Sequence, residues 1–131
     1  MRIRTIKPEF WMSESVGRLS REARLLFLGL LSACDDSGRT RAASRFLASL
    51  LFPYDSDAID RIDGWLTELE AQGIARRYVV EGCTYLELPK WSSHQKIDRP
   101  SPSKLPAFVE SSRILASPRE PSRGLTCGSR T

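Results

Sequence analysis

The hydrophobic pattern of residues 57 to 72 has the period of an amphipathic helix. Asp57 stands where an N-cap belongs, and Gly73 stands where a left-handed C-cap belongs. The apolar positions between these two signals recur at helical spacing, and they are Ile59, Ile62, Trp65, Leu66 and Leu69. We therefore predict one helix that ends at Gln72 and buries Trp65 in the core.

A β-hairpin is predicted directly after this helix. Residues 74 to 80 and 83 to 88 are rich in β-branched and aromatic side chains, which favour strands. Glu81-Gly82 lies between them and supplies the glycine of a tight turn. Such a turn fixes which side chains face each other, and the expected pairs are Val80 with Cys83, Tyr78 with Tyr85, and Arg76 with Glu87.

Two further helices are predicted before this stretch. Ser20 is suited to cap a helix over residues 21 to 33, which is apolar on nearly every side and is therefore expected to be the buried hub of the fold. The next helix is expected to begin with Thr40 or Ser44 as its cap. It should end at Phe52, because a proline follows.

Three helices followed by two strands predict a mainly α fold with a small β-hairpin wing, a winged helix-turn-helix, over residues 1 to 106. The alternating residues Arg2 to Ile6 should form an extended arm that packs its isoleucines on the body and offers a third strand. Phe10 and Trp11 should cover one end of the core. Residues 107 to 131 are rich in Ser, Arg and Pro, which predicts a disordered tail.

The composition indicates a cytoplasmic location. The three cysteines lie 49 and 44 residues apart without a C-x-x-C pair, and such an odd, scattered set favours reduced thiols. No apolar run approaches the roughly 20 residues needed to cross a bilayer, and the N-terminus lacks the apolar stretch of a signal peptide.

The residues give no pattern typical of an enzyme or a metal site. No nucleophile elbow, phosphate-binding loop or H-E-x-x-H motif occurs, so we expect no catalysis and no cofactor. Asp35-Asp36 precede a glycine but lack the further ligands of a calcium loop, which favours a plain turn. His94 is the single histidine and has no partner at metal-ligand spacing. We expect it to bind backbone or phosphate and not zinc.

Charge is distributed unevenly along the chain. The net charge is +4, from 20 Lys and Arg against 16 Asp and Glu. Residues 1 to 54 carry nine basic and five acidic side chains, residues 55 to 75 carry one and six, and residues 76 to 131 carry ten and five. Two basic zones therefore flank an acidic third helix, whose surface should be repelled by phosphates.

Three basic clusters border the predicted fold, and they predict contacts to double-stranded DNA mainly through its backbone. The alternative is a solvated basic surface, which isolated basic runs often are. The expected DNA-binding residues are Arg39, Arg41 and Arg45 before the second helix, Arg76 and Arg77 on the hairpin, and Lys90, His94, Lys96, Arg99 and Lys104 after it.

Four stretches together resemble the N-terminal winged-helix domain of phage and prophage replication-initiation (replisome-organiser) proteins. The stretches are Met1-Arg-Ile-Arg-Thr-Ile-Lys-Pro-Glu-Phe-Trp11, Ala23-Arg-Leu-Leu-Phe-Leu-Gly-Leu-Leu31, Phe52-Pro-Tyr-Asp55 and His94-Gln-Lys-Ile-Asp-Arg-Pro100. The resemblance covers roughly residues 1 to 106. It implies DNA binding at an origin or primosome, and contact with host or phage replication proteins.

Two alternative functions stay open at this stage. A winged-helix transcriptional regulator would bind a specific operator, with a dimer covering two half-sites. A protein-interaction module of the replication machinery would instead use the acidic third helix to dock a basic partner. The sequence alone does not separate them from a replication initiator in a bacterial cytoplasm.

Overall fold

The structure is a computed structural model that describes residues 1–97 and 99–109. The described part is rich in helices and contains a small antiparallel sheet. In chain order the elements are α1 (Glu9–Met12), α2 (Glu14–Gly17), α3 (Arg21–Ala33), β1 (Arg39–Arg41), α4 (Ser44–Leu51), α5 (Ala58–Ala71), β2 (Arg76–Val80), β3 (Cys83–Glu87) and α6 (Trp91–His94).

Helix α3 is the centre of the core and has the predicted bounds. Ser20 caps it, because its hydroxyl accepts a hydrogen bond from the Ala23 amide at 3.1 Å. One side of the helix is fully buried, through Ala23, Leu26, Phe27, Leu30 and Leu31. The helix is not buried all round as predicted, since Leu25 is 57% exposed. The helix is therefore amphipathic, as the period of its apolar residues indicates, and not buried on every side.

Helices α4 and α5 pack on each other and on α3. Helix α4 begins after Ala43, and neither Thr40 nor Ser44 caps it, so that prediction is wrong. Helix α5 ends one residue before the predicted Gln72 and is followed by Gly73 in the predicted left-handed conformation. The core takes Ile62, Trp65, Leu66 and Leu69 from α5, and Trp65 is buried as predicted.

The sheet has the strand order β1-β3-β2, and both pairs are antiparallel. The predicted hairpin register is confirmed, with Val80 opposite Cys83, Tyr78 opposite Tyr85 and Arg76 opposite Glu87. Glu81 and Gly82 both have positive φ, as a tight two-residue turn between twisted strands requires. The third strand is β1, however, and not the N-terminal arm.

The N-terminal arm, residues 1–6, lies against the end of α3 with its arginines inward. Arg4 donates to the carbonyl oxygens of Leu31 at 3.1 Å and Cys34 at 3.0 Å, where the helix leaves its last carbonyls unpaired. Ile3 is fully exposed and Ile6 about half exposed. The expectation that the isoleucines pack on the body is therefore wrong, because the polar groups at the helix end bind arginine instead.

The two aromatic residues expected to cover one end of the core, Phe10 and Trp11, differ in their burial. Phe10 stacks on Phe27 of α3 with ring centroids 5.5 Å apart, as a core cover should. Trp11 touches Phe10 edge-on but is 67% exposed, so it does not cover the core. Trp91 of α6, unlike Trp11, is buried, and its Nε1 donates to the Asp36 carbonyl oxygen at 2.9 Å.

The C-terminal segment, residues 99–109, runs extended along the surface, as its prolines predict. It covers the side of the sheet that faces away from α5. There the Tyr78 hydroxyl donates to the Pro106 carbonyl oxygen at 2.7 Å, and the Phe108 ring stands edge-on to Tyr78 at 5.6 Å. Tyr78 is fully buried as a result. The predicted disorder of the tail beyond residue 109 concerns residues outside the described ones.

Cys34 is a buried free thiol, and burial holds its pKa well above the ordinary value. Cys83 is disulfide-bonded, so the expectation of reduced thiols does not hold there. Cys127 lies outside the described residues. Within residues 1–97 and 99–109, no helix combines the length and apolarity that a membrane span needs.

Candidate nucleic-acid interface

Arg77 is buried and its charge is matched inside the fold. Only 5% of its side chain is exposed, and its guanidinium contacts Asp63 at 3.3 Å and Glu70 at 2.7 Å. It also donates to the Thr67 hydroxyl at 3.2 Å. The structure therefore removes Arg77 from the exposed basic surface that the sequence assigned to it. Strand alternation turns this side chain toward α5, on the opposite side from Arg76.

Most of the acidic charge of α5 is also used within the fold. Asp63 and Glu70 pair with Arg77, while Glu68 accepts from the Ser20 amide at 2.7 Å and from the Ser20 hydroxyl at 2.9 Å. Glu68 thus supports the cap of α3. The three carboxylates stabilise the packing of α5, so the negative charge of residues 55 to 75 overstates how acidic the helix surface is.

One exposed strip of α5 carries short side chains, while Arg61 and Ile59 are exposed outside it. Asp60, Gly64, Thr67 and Ala71 lie at successive turns and are all exposed. A side chain at Gly64 would meet nothing within 4 Å. The remaining exposed carboxylates, Asp57 and Asp60, lie at the start of the helix, where an anion is favourable for the helix dipole. A rigid molecule could therefore approach most of this helix closely.

Two of the predicted site residues lie where β1 leads into α4. Arg45 is in the first turn of α4, whereas Arg41 is the last residue of β1 and lies opposite Tyr85, on the side of the sheet that faces away from α5. Ser44, between them, donates from its hydroxyl to Asp63 at 2.9 Å, which brings the start of α4 against the middle of α5. Arg41 is half-buried and Arg45 exposed, and neither makes an ion pair with another described residue. Arg45 therefore offers free charge on the helix that packs against α5, and Arg41 offers it on the outer side of the sheet.

Arg39 and Arg76 share one carboxylate on the outer side of the sheet. Glu87 lies between them on β3, with Arg39 Nε at 3.1 Å and Arg76 Nη2 at 2.5 Å. The Arg76 guanidinium also lies 4.0 Å above the Phe108 ring, and Arg39 donates to the Leu105 carbonyl oxygen at 3.5 Å. These two arginines hold the C-terminal segment on the sheet, and together with Glu87 they leave one net positive charge.

The remaining predicted residues lie on α6 and after it. Lys90, Lys96, Arg99 and Lys104 are exposed at separate points of this surface strip. His94 is half-buried, with its ring edge-on to Phe27 at 5.4 Å. Burial lowers the pKa of His94, and the nearby Lys7 and Lys90 lower it further, so the imidazole is neutral at physiological pH. It is therefore a hydrogen-bonding group here and adds no charge for phosphate.

Asp35 and Asp36 do more than form a turn. Asp36 accepts from Arg2, from Arg4 and from the Ser101 amide, while Asp35 accepts from the Ser103 hydroxyl at 2.5 Å. This pair thus binds the N-terminal arm and the C-terminal segment together. The sequence signal was present in the two adjacent carboxylates, but nothing in the spacing indicates partners 32 to 68 residues away.

Comparison with protein-family models, curated proteins and solved structures finds no match for this chain. Among residues 1–97 and 99–109, no group of His, Cys, Asp and Glu side chains is arranged to hold a metal ion. A functional proposal therefore rests on the geometry of the described residues and on the resemblance of four sequence stretches to phage replication-initiation proteins.

Proposed function

We propose that this chain is a winged-helix protein that binds double-stranded DNA mainly through the phosphate backbone and acts in the initiation of phage DNA replication. The order of elements supports the fold part of the proposal. A helix, a strand, two helices and a two-stranded hairpin follow one another from α3 to β3, and β1 completes the sheet beside the hairpin. In this reading α5 occupies the position of a recognition helix and the hairpin is the wing.

The observation that carries the DNA-binding proposal is the placement of free positive charge where β1 leads into α4. Arg41, on the outer side of β1, and Arg45, in the first turn of α4, make no ion pair with a described carboxylate. The acidic residues that would have opposed a phosphate backbone are largely engaged by Arg77 and Ser20. The surface of α5 is therefore less repulsive to DNA than its sequence indicates.

The side chains on α5 support backbone binding over base reading. Gly64 and Ala71 offer no hydrogen-bonding side chain, the Thr67 hydroxyl already donates to the Asp63 carbonyl oxygen at 2.9 Å, and the exposed Arg61 pairs with Asp57 at 3.7 Å. Sequence readout in a major groove needs long polar side chains such as Arg, Asn or Gln. Contacts to phosphate by Arg41, Arg45 and the lysines after the hairpin would instead fix position without strong preference.

The replication role rests on the resemblance of four sequence stretches to phage initiation proteins. The proposed location is the cytoplasm of a bacterial host, and the proposed partners are double-stranded DNA and replication proteins. A transcriptional regulator is the first alternative, and a footprint of two half-sites on an operator would favour it. The interaction-module alternative has lost support, because Asp63, Glu68 and Glu70 bind within the fold.

Salt titration of DNA affinity tests the DNA-binding part. The slope of log affinity against log salt should be about −0.9 per phosphate contacted, so replacing both Arg41 and Arg45 with alanine should make it shallower by about 2. Arg18→Ala is the matched control, since it removes one exposed charge near the far end of α5 and should leave the slope unchanged. A slope near zero for the unmodified protein would refute the proposal.

Footprinting across the phage's own replication region tests the second part. Protection concentrated at an origin supports a role in initiation, whereas protection confined to a promoter supports the regulator. No DNA binding at low salt, together with retained binding of a purified replication protein, would establish the interaction module instead. The three functions therefore predict different patterns of DNA protection, and not only different DNA affinities.

A further inference from the structure

A cavity of about 310 Å³ lies on the side of the molecule opposite the start of α5. The N-terminal arm, α1, α2, α3, α6 and the turn after α5 surround it. Its floor is apolar and consists of Phe10, Val16, Phe27, Leu31 and Ile74. A volume at the lower end of the range for ligand sites suits one large side chain better than an extended molecule.

The rim of this cavity is polar and carries a small excess of positive charge. Lys7 and Lys90 line it against one carboxylate, Glu9. Thr5 and Gln95 close one edge, because the Gln95 amide donates to the Thr5 carbonyl oxygen at 2.7 Å and accepts from the Thr5 amide at 3.0 Å. These reciprocal bonds hold the arm in place, so the cavity is formed before anything binds in it.

A projecting aromatic residue lies at the other end of α5. Tyr54 is 97% exposed in the turn between α4 and α5. Pro53 precedes it, and the turn is closed by hydrogen bonds from the Asp55 amide to Phe52 and from the Ala58 amide to Asp55, each of 3.2 Å. The ring is therefore presented on a fixed turn. Asp55 and Asp57 beside it are both exposed, and Asp57 also pairs with Arg61 at 3.7 Å.

The projection and the cavity stand at opposite ends of one helix. Tyr54 precedes α5, whereas Gln72, Gly73 and Ile74 after α5 line the cavity. The helix has 14 residues, which correspond to about 21 Å at the ordinary rise per residue. A molecule therefore cannot place Tyr54 in its own cavity, but a second copy can.

We propose that the chain associates head to tail, with Tyr54 of one copy seated in the apolar cavity of the next and Asp55 and Asp57 facing Lys7 and Lys90. The contact is heterologous, since each surface meets a different one, and it can continue from copy to copy. The inference concerns self-association alone and does not rest on the proposed DNA binding.

The chemistry of the two surfaces matches in three respects. The apolar floor accepts the tyrosine ring, and burying an exposed aromatic side chain is among the most favourable contacts at an interface. The neutral His94 on the cavity wall carries one nitrogen that accepts and one that donates, so it can pair with the phenol hydroxyl. The carboxylates beside Tyr54 and the two lysines at the rim have opposite charge.

Sedimentation velocity over a range of protein concentrations, without DNA, provides the first test. The average mass of the unmodified protein should rise with concentration, and Tyr54→Ala should weaken association by at least ~10-fold, as expected for an aromatic anchor. Leu25→Ala is the matched control, because it removes another exposed apolar side chain, on α3, and should change nothing. A protein that stays monomeric at all concentrations, or a Tyr54→Ala variant that associates equally well, overturns the proposal.

Reversing the charges beside Tyr54 or at the cavity rim gives a second test. Its result does not depend on truncating the Tyr54 side chain. The variant with Asp55→Lys and Asp57→Lys, and the variant with Lys7→Glu and Lys90→Glu, should each be monomeric because like charges then meet. Mixed together, they should associate again, since each carries a surface complementary to one on the other. Circular dichroism should show that both variants are folded. A mixture that stays monomeric contradicts the proposed pairing.

Discussion

Arg77 donates to Glu70 twice, from its guanidinium at 2.7 Å and from its backbone amide at 3.1 Å. Because one partner is on β2 and the other near the end of α5, this pair fixes the angle between the hairpin and the helix. A residue that the sequence places on a binding surface is therefore a structural cross-link, and the distinction can be measured.

Replacing Arg77 with methionine should lower stability more than DNA affinity. Removing one member of a buried ion pair costs roughly 3 to 5 kcal/mol, and we expect about 2 to 3 kcal/mol here because the two carboxylates remain about a quarter exposed. Urea denaturation measures the loss. Arg45→Met, on an exposed side chain, is the control and should do the reverse: stability nearly unchanged, DNA affinity reduced. Equal stability of both variants would mean that the ion pairs of Arg77 contribute little.

Neutralising two neighbouring aspartates of α5 should have unlike effects. Asp60 is exposed, and Asp60→Asn should raise DNA affinity slightly by reducing repulsion while leaving the preferred sequence unaltered. Asp63 binds Ser44 and Arg77, so Asp63→Asn should lower the melting temperature. Selection of binding sites from a random DNA pool checks the first expectation. A changed consensus with Asp60→Asn would show that α5 reads bases directly, since a carboxylate can accept from a cytosine amino group.

Truncation of Trp65 should strongly destabilise the protein. The ring is buried, and its centroid lies 5.2 Å from that of Phe52, so Trp65→Ala leaves a cavity between α4 and α5. Such changes typically cost ~3 to 5 kcal/mol. Thermal melting followed by circular dichroism gives the value, and Trp11→Ala, at a ring that is 67% exposed, serves as the exposed aromatic control. If Trp65→Ala melts like the unmodified protein but no longer binds DNA, the ring is a contact to bases and not a core residue.

The contribution of Asp36 to stability should disappear in acid. Hydrogen bonds from the Ser101 amide and from Arg2 lower the pKa of this carboxyl to about 2, below the ordinary value near 4. A lowered pKa means that the stabilisation is complete above about pH 5 and is lost as the pH falls toward 2. Asp36→Asn should therefore melt below the unmodified protein at pH 7 and together with it near pH 2.

Asp60→Asn, which alters an exposed carboxyl, controls for general charge effects in that comparison. A gap between Asp36→Asn and the unmodified protein that stays constant from pH 7 to pH 2 would contradict the assignment. The stabilisation would then come from shape and packing and not from the ionised carboxyl.

The local parts of the fold could be predicted because their signals are short in sequence. The bounds of α3 follow from the cap at Ser20 and the period of its apolar residues. The hairpin register follows from one turn, since Glu81-Gly82 leaves a single pairing that keeps Leu86 on the core side. In both cases the signal and the structure lie within a few residues of each other.

The contacts that the sequence did not reveal join distant segments. Alternation in the arm predicted inward isoleucines, but the unpaired carbonyls at the end of α3 bind Arg4 instead. The sequence places Arg39 and Arg41 before the second helix without indicating a strand, but residues 39 to 41 form β1 because β3 offers a free edge. The charge of Arg77 could be assigned only after α5 had brought Asp63 and Glu70 to it. Charge counts along a chain do not show which charges pair across it.

The carboxylate of Asp36 has a consequence for the connectivity of the chain. Arg2 and Ser101 both bind it, so the two outer segments of the described chain lie within one side chain of each other. A single side chain thus connects the N-terminal arm to the segment that covers the sheet, and the two should detach from the fold as one unit and not independently.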